Sequence, residues 1–584
     1  MSGKCKPVII PNEFITTLLS PSETKELHSM NVHLTNKVLD CVCPTLDPSI
    51  NRLLPPLNKP LIKDNKNKDK KHCYYCDPIT PTNTILYGST ICQDLLILNT
   101  LGVNNYEIKL LNNTHNVVWP WSIQYHADRL GNNKRLQYFP LIIAFPKSAK
   151  EVEFWVNFAV KHSILPCIRS GGHNYEGFSC SNPLIIDTTD LMVKCYRCNN
   201  VSGYKDNEVC AKPYYISKSR NFVDVSPGVR LGPLYHELGK HELIIAGGIC
   251  PSVCVGGLVA GGGVGYFMRQ FGYACDNLLE ADIVLASGHK ITCTADNKYS
   301  DLFRALKGAG GGNFGVITRY RLRTHKVKKV VYFTYFFSGS DTVSVLDALQ
   351  RVGIDAPDLL SGIVGNLVAG IGGIAVNGIY NAVDSTHPLE EFNLFINKYF
   401  FSLMSGVVPV SSDISYKTFV EIDIELGSEA PPLPFYKIKS SYSFNLLSRA
   451  DLQKIVDSVS VPPPTGRGII FLAMQNLVYG GFVNRVNPKS SVLVARAGTK
   501  GWYQMAVYYT DPNDLDIAIS YINSVYNVVA SLTSTYADAN VSDMALTNPL
   551  ESYYGAGNIP FLIDTKKKYD PNNVFTFPQS IPVV

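Results

Sequence analysis

The chain has 584 residues, 46% of them apolar and 17% charged, with a formal charge of +5. That composition supplies an ample globular core and allows roughly three or four domains, or two large ones. The charge is small for the length and no basic arm with interleaved aromatics occurs, so nucleic acid is not an expected partner.

Residues 1–118 read as an N-terminal extension, with a Pro-, Asn- and Lys-rich linker from Pro55 to Pro81. The Lys63–Lys71 run within it reads as a solvated loop. Met1–Pro7 lacks the hydrophobic region of a signal peptide. No run of about 18 apolar residues appears, so no transmembrane segment is expected. Location and oligomeric state stay open. The abundance of Asn, Lys, Ile and Tyr fits an AT-rich genome such as that of a protist or a large DNA virus, and a virus would imply a cytoplasmic or virion location. Sequons at Asn112, Asn200 and Asn540 mean little without a signal.

From residue 119 to 325 the pattern is one of strands and helices. Lys147–Ser163 carries apolar residues at helical spacing (Val152, Phe154, Trp155, Phe158, Ala159). Ile164–Arg169 is an apolar run of strand length. All 15 cysteines lie at or before Cys293. Cys73-x-x-Cys76 and Cys195-x-x-Cys198, with Cys210 or Cys41, invite a zinc reading, but the pairs are far apart and neither has a partner at ribbon spacing. No metal site is expected, although zinc stays open for the two pairs beside disulfide and free thiol. Beyond Lys326, Val330–Phe337 is a strand rich in β-branched and aromatic residues. Strands then alternate with helices such as Ser448–Val459 to about residue 541, and a final stretch, 542–584, follows.

Two glycine-rich segments carry the chemistry. Arg169-Ser170-Gly171-Gly172-His173-Asn174-Tyr175 enters a turn whose glycines tolerate positive φ and let backbone N–H groups approach a ligand. A phosphate or ring cradle and a tight hairpin with a surface histidine both fit that string. Gly247-Gly248-Ile249-Cys250-Pro251-Ser252-Val253 leads into Gly256, Gly257, Gly261, Gly262, Gly263 and Gly265, interleaved with Val, Leu and Ala. Apolar glycine-rich backbone of this kind packs against a flat ligand or another backbone. A buried core segment with an inert thiol is the competing account. Gly310–Gly315 matches G-x-G-x-x-G, but a helical stretch (Asp301–Lys307) precedes it and a strand (Val316–Leu322) follows. A dinucleotide fingerprint needs the reverse order.

Together these segments resemble the berberine bridge enzyme-like flavoproteins of the vanillyl-alcohol oxidase and para-cresol methylhydroxylase superfamily. Phe271–Asn277, Asp301–Val316, Tyr553-Tyr554-Gly555 and Lys568–Phe575 extend the resemblance in the right order. It implies an α+β fold. Residues 119–325 and 542–584 would form a two-part FAD-binding domain of the para-cresol methylhydroxylase type. Residues 326–541 would form a substrate domain whose antiparallel sheet is backed by helices. The resemblance further implies FAD held covalently, through His173 at the flavin 8α position and Cys250 at C6. Arg169, Ser170, Gly171, Gly172, Asn174, Val253, Gly256, Gly257, Gly261, Asn277 and Tyr554 would line that cofactor. The implied reaction removes hydride from a small-molecule substrate at a C–H beside oxygen or nitrogen, then passes electrons to O2 to give hydrogen peroxide. Val253 favours the oxidase, since a valine there leaves room for oxygen.

Gln504 matches the family's active-site glutamine. In the family's Y-x-N-Y segment this chain has Tyr536-Ala537-Asp538-Ala539. Tyr536 is the candidate base, equally readable as a packed aromatic, and the second tyrosine and the asparagine are replaced. Cys254 stands for a glycine and Phe561 for a frequent basic residue. The expected activity is oxidation of a carbohydrate or another alcohol. A dehydrogenase or an oxidative cyclase of a specialised metabolite, and a non-catalytic protein that keeps the flavin fold, are the alternatives.

Overall fold

The structure, a computed structural model, describes residues 91–194, 211–383, 385–429 and 434–584. The lysine run, the Cys73–Cys76 pair and the Cys195–Cys198 pair with Cys210 lie outside the described residues. Among those described, no cluster of His, Cys, Asp or Glu could hold a metal.

The first sheet is made of short strands β1 (Val117–Val118), β2 (Ile142–Ala144), β3 (Pro166–Arg169) and β4 (Leu184–Asp187), in the order β1-β2-β4-β3. Strands β2 and β3 run parallel to β4, and β1 is antiparallel to β2. Parallel strands buried on both faces read as continuous apolar runs, as Leu-Ile-Ile does in β4. Helix α1 (Ala149–Lys161) covers one face with Val152, Trp155, Val156, Phe158 and Ala159. Its N-terminus is capped by Ser148, whose Oγ accepts from the Glu151 N–H at 3.3 Å. Leu95, Leu98, Ile108 and Leu111 share this core.

The second sheet is antiparallel. It comprises β5 (Tyr214–Ser217), β6 (Phe222–Val225), β7 (Leu278–Val284), β8 (Lys290–Cys293) and β9 (Val316–Arg323), in the order β8-β7-β9-β6-β5. Strand β9 alternates buried and half-buried residues along its length. Its outer side chains Arg319 and Arg321 pair with Asp224, Glu280 and Asp282. Helices α2 (Leu231–Gly239) and α3 (Val255–Gly261) belong to the core around this sheet.

The third sheet has seven antiparallel strands: β10 (Val330–Ser338), β11 (Leu360–Val368), β12 (Gly373–Tyr380), β13 (Ser411–Lys417), β14 (Phe435–Ser443), β15 (Ile470–Val478) and β16 (Gly501–Tyr509). Their order is β13-β10-β12-β11-β15-β16-β14. Period-two alternation divides its faces. Val331, Phe333, Tyr335 and Phe337 of β10 and Tyr503, Met505, Val507 and Tyr509 of β16 join the core of the helices on one side. Those helices are α4 (Thr342–Asp355), α5 (Pro388–Tyr399), α7 (Arg449–Ser460) and α8 (Leu515–Leu532), while α6 (Phe419–Glu429) packs on α2. On the opposite face the pairing aligns Tyr436, Ser440 and Tyr442 of β14 with Tyr508, Gln504 and Trp502 of β16.

The α+β expectation holds. The segment containing α8 is long and apolar enough to cross a membrane by length and composition. The expectation of no such segment rested on uninterrupted apolar runs and passed it over. Its residues Ala518, Tyr521, Ile522, Val525 and Val529 are buried in the third sheet's core, at about 1.5–3 kcal/mol for each large side chain.

Candidate functional site

Strand β3 ends at Arg169, which turns inward and pairs with Asp187 at the end of β4. The chain then bends through Ser170-Gly171-Gly172, with Gly172 at φ +67. A side chain on Gly171 would lie 3.0 Å from the Cys254 backbone nitrogen, so glycine lets this turn press against the residue that precedes α3. Gly256 is packed as tightly, against Ser170 and Pro227.

This close approach brings together two side chains that are distant in sequence. The Ser252 hydroxyl lies 3.2 Å from His173 Nε2 and 3.3 Å from Cys250 Sγ. Cys250 is exposed, whereas Cys167, Cys180, Cys254, Cys275 and Cys293 are buried. Burial pushes the Cys254 thiol up to about 12 and keeps it protonated. Burial and the nearby Arg230 push His173 down to about 4, so its imidazole is neutral at physiological pH. Ser252 escaped the sequence reading, although it lies within the Gly247–Val253 segment.

A cleft of about 1390 Å³, counted out to solvent, runs from His173 between α3 and the Gly310–Gly312 turn, with Cys250 and Ser252 off its wall. Ser170, Gly171, Gly172, His173, Asn174, Val253, Gly256, Gly257, Gly261 and Tyr554 all line it. Gly257 is informative. A Cβ added there would meet no heavy atom within 4 Å, so no close contact of the backbone requires a glycine at that position. Gly310–Gly315 follows a helix (Ser300–Ala305) and precedes β9, and it forms a cleft wall rather than opening a helix. Tyr554 is fixed by donating to the Ala309 carbonyl at 2.7 Å. Asn540 closes the end of α3, accepting from the Gly263 N–H and donating to the Gly257 carbonyl, both at 3.0 Å.

Besides Cys250, four expected site residues lie off the cleft wall. Arg169 is a buried strut on Asp187. Asn277 braces a turn by donating to the Phe271 and Tyr273 carbonyls, each at 2.9 Å. Tyr536 is half-buried with its ring edge on Phe444. Gln504 begins a row of amides across the open face of the third sheet. It donates to Gln475 (3.3 Å), Gln475 to Asn366 (3.1 Å), Asn366 to Asn377 (2.6 Å) and Asn377 to Tyr266 (2.6 Å). Phe561, found where a basic residue is frequent, stacks under the Arg304 guanidinium at 4.0 Å.

Sequence reasoning also missed an ionic knot behind the His173 turn. Lys437 of β14 binds Glu176 and Asp543, the latter at 2.6 Å. Lys439 reaches Asp543 at 2.7 Å, and Arg135 reaches Glu176 at 2.7 Å. The side chains of Lys437, Lys439, Glu176 and Asp543 are at least 94% buried. The knot ties the turn to the third sheet and to the segment after β16.

Comparison with known proteins gives this architecture a family. Residues 140–294 match the FAD binding domain family, and residues 538–582 match the berberine and berberine-like family. The chain thus carries both the FAD-binding and the berberine-like domains found in berberine bridge enzyme-like FAD-linked oxidoreductases. FAD-linked oxidoreductase pynB of Aspergillus niger is 26% identical over 80% of this chain and 89% of its own. Berberine bridge enzyme-like 17 of Arabidopsis thaliana is 26% identical over 76% and 85%. The solved structure of BBE-like 1 from Physcomitrella patens superposes with a TM-score of 0.68 at 26% identity, covering 81% of this chain and 98% of that one. FAD fits the cleft, because the space beside Gly257 that no side chain of the protein fills is room for a flat ligand against backbone. A small-molecule substrate follows from the family.

Proposed function

We propose that the protein is an oxidase of a carbohydrate or another alcohol, with FAD tethered through both His173 and Cys250. One observation carries the tethering: a single hydroxyl, Ser252 Oγ, is within hydrogen-bonding distance of both His173 Nε2 and Cys250 Sγ. Two attachment points on one edge of a flavin need such proximity. The neutral His173 imidazole is the form that can act as a nucleophile. The exposed Cys250 thiol faces solvent, where a ring can reach it. When bound, the flavin supplies a hydride acceptor and hands electrons to O2.

The protein's own residues orient the substrate. The amides of Gln504, Gln475, Asn366 and Asn377, with the rings of Tyr508 and Phe471 (centroids 6.0 Å apart), offer alternating donors and acceptors beside aromatic faces. That combination suits a polyhydroxylated molecule. Val253, on the cleft wall, presents a small side chain and leaves room for O2.

Acid precipitation tests the tethering. Colour is expected to stay with the pellet in the parent and in His173→Ala and Cys250→Ala singly. It should wash out of the double variant. Free flavin released from the parent would overturn the proposal. Peroxide release with a panel of sugars tests the oxidase. Reduction of a dye with no peroxide would assign a dehydrogenase instead.

A further inference from the structure

The hydroxyl that joins the two proposed tethers has a direction as well as a position. Ser252 Oγ lies 3.2 Å from His173 Nε2 and 3.3 Å from Cys250 Sγ, so ring, hydroxyl and sulfur form a row with the hydroxyl in the middle. A serine hydroxyl has one proton to give and lone pairs with which to accept. Donation along the row can therefore run either way. If Ser252 donates to Nε2, the proton of the neutral ring sits on Nδ1, and neither nitrogen keeps a free lone pair. If the Nε2 N–H donates to Ser252, Nδ1 keeps a free lone pair and the hydroxyl proton is left for the sulfur. Only the second direction makes His173 a nucleophile. It also places a donor on Cys250 Sγ, whose reactive form is the thiolate. The Ser252 main chain hydrogen-bonds the same ring in the sense that favours a proton on it, which agrees with a ring that donates. Burial and Arg230 act against a second ring proton, so the one N–H is shared out by these contacts alone.

We propose that Ser252 is the positioning residue for flavin attachment: it accepts from His173 Nε2, which frees Nδ1 to bond to the flavin 8α carbon, and it carries off the Nε2 proton as that bond forms. The inference rests on the tethered-flavin reading above. Atoms and electrons balance. A C–H bond of the 8α methyl group breaks, and its proton leaves to solvent. The bond from Nδ1 to that carbon forms, and the electron pair of the broken bond is taken up by the flavin, which is reduced. The Nε2 proton passes to the Ser252 oxygen. The hydroxyl's own proton goes to solvent, which reaches this side of the site at the exposed Cys250. O2 then reoxidises the flavin and becomes hydrogen peroxide. Ser252 acts through the ring and the sulfur, so it prepares the two nucleophiles without itself bonding to the flavin.

The test mixes flavin-free, full-length protein with FAD in air and follows flavin on the His173 peptide over time by mass spectrometry. Two variants of equal shape separate the hydroxyl from packing: Ser252→Thr keeps it and Ser252→Val lacks it. Ser252→Thr is expected to link close to the parent rate. Ser252→Val should link at least roughly tenfold more slowly, the rate equivalent of one hydrogen bond to a charged group. Uptake of FAD before linkage, read as flavin absorbance that travels with the native protein, should be the same in both. A second readout needs no flavin. Alkylation of Cys250 by iodoacetamide in the flavin-free protein should be slower in Ser252→Val than in Ser252→Thr by a similar factor. Equal linkage rates in the two variants, or equal alkylation rates, overturn this inference alone. So does a loss of FAD uptake in Ser252→Val as large as its loss of linkage, which would make Ser252 a packing residue. A parent that takes up no FAD, or never links it, overturns the flavin reading and takes this inference with it.

Discussion

A chain carrying Gly257→Leu is expected to fold as the parent does and to emerge without yellow colour. Gly257 lies inside α3, where leucine is a better helix former than glycine by roughly 0.5–0.8 kcal/mol. An added Cβ meets no heavy atom within 4 Å, so the substitution starts into open space and stability should stay near the parent's. The side chain would occupy the cleft, and FAD and the leucine compete for the same space. The measurement is flavin absorbance per mole of protein, alongside a thermal unfolding curve. Full flavin content in Gly257→Leu would show that the cofactor lies elsewhere. Gly265 makes the contrast. A Cβ there would collide with the Gly247 carbonyl, so Gly265→Ala should cost stability through overpacking, about 1–3 kcal/mol.

Lys437→Ala should be among the most damaging single changes in the third sheet. The ammonium faces two buried carboxylates, Glu176 and Asp543, of which Arg135 and Lys439 each still hold one. Removing one partner from a buried ionic group costs about 3–5 kcal/mol, because the charges left behind have no water to replace it. Chemical denaturation should show a loss of that size. Lys437→Met, which keeps the volume and the deficit of charge, should lose nearly as much. Near-parent stability in both variants would mean that Arg135 and Lys439 rearrange to balance the carboxylates. The same knot anchors the turn after His173, so flavin content should fall alongside stability.

How far the sequence could be read differs by element. Helix α1 announces itself through 3.6-residue spacing and strand β10 through its β-branched and aromatic residues, while the α+β arrangement is what the resemblance implies. The His173 and Cys250 segments stand out because glycine clusters among apolar residues have few other uses. The relation between the two segments is a property of the fold. Ser252 is one serine among many until β3 and the start of α3 are pressed together at Gly171. Lys437, Asp543 and Asp538 carry no local signal, since a buried ion pair or a buried lone carboxyl is defined by what surrounds it. Gln504 matches the family by residue type, while the amide row it begins across the third sheet is visible only in the fold. Asn540, read as an idle sequon, spends its side chain on α3, and Asn112 accepts from Trp119 Nε1 at 2.6 Å.

The cleft draws its walls from both ends of the sequence: Ile168 and His173 on one side, Asn540, Tyr554, Phe577 and Gln579 on another. Its floor is fixed by Lys566, fully buried, which donates to the carbonyls of Asn313 and Phe575 at 2.6 Å. A nascent chain released only as far as the third sheet would therefore display His173 and Cys250 with nothing to hold a ring between them. The pocket needs the segment from Ala539 to Gln579, and closing loops of several hundred residues is slow. Flavin capture thus waits on the segment that lies far downstream of the His173 turn, and the Cys250 thiol is exposed and open to oxidation.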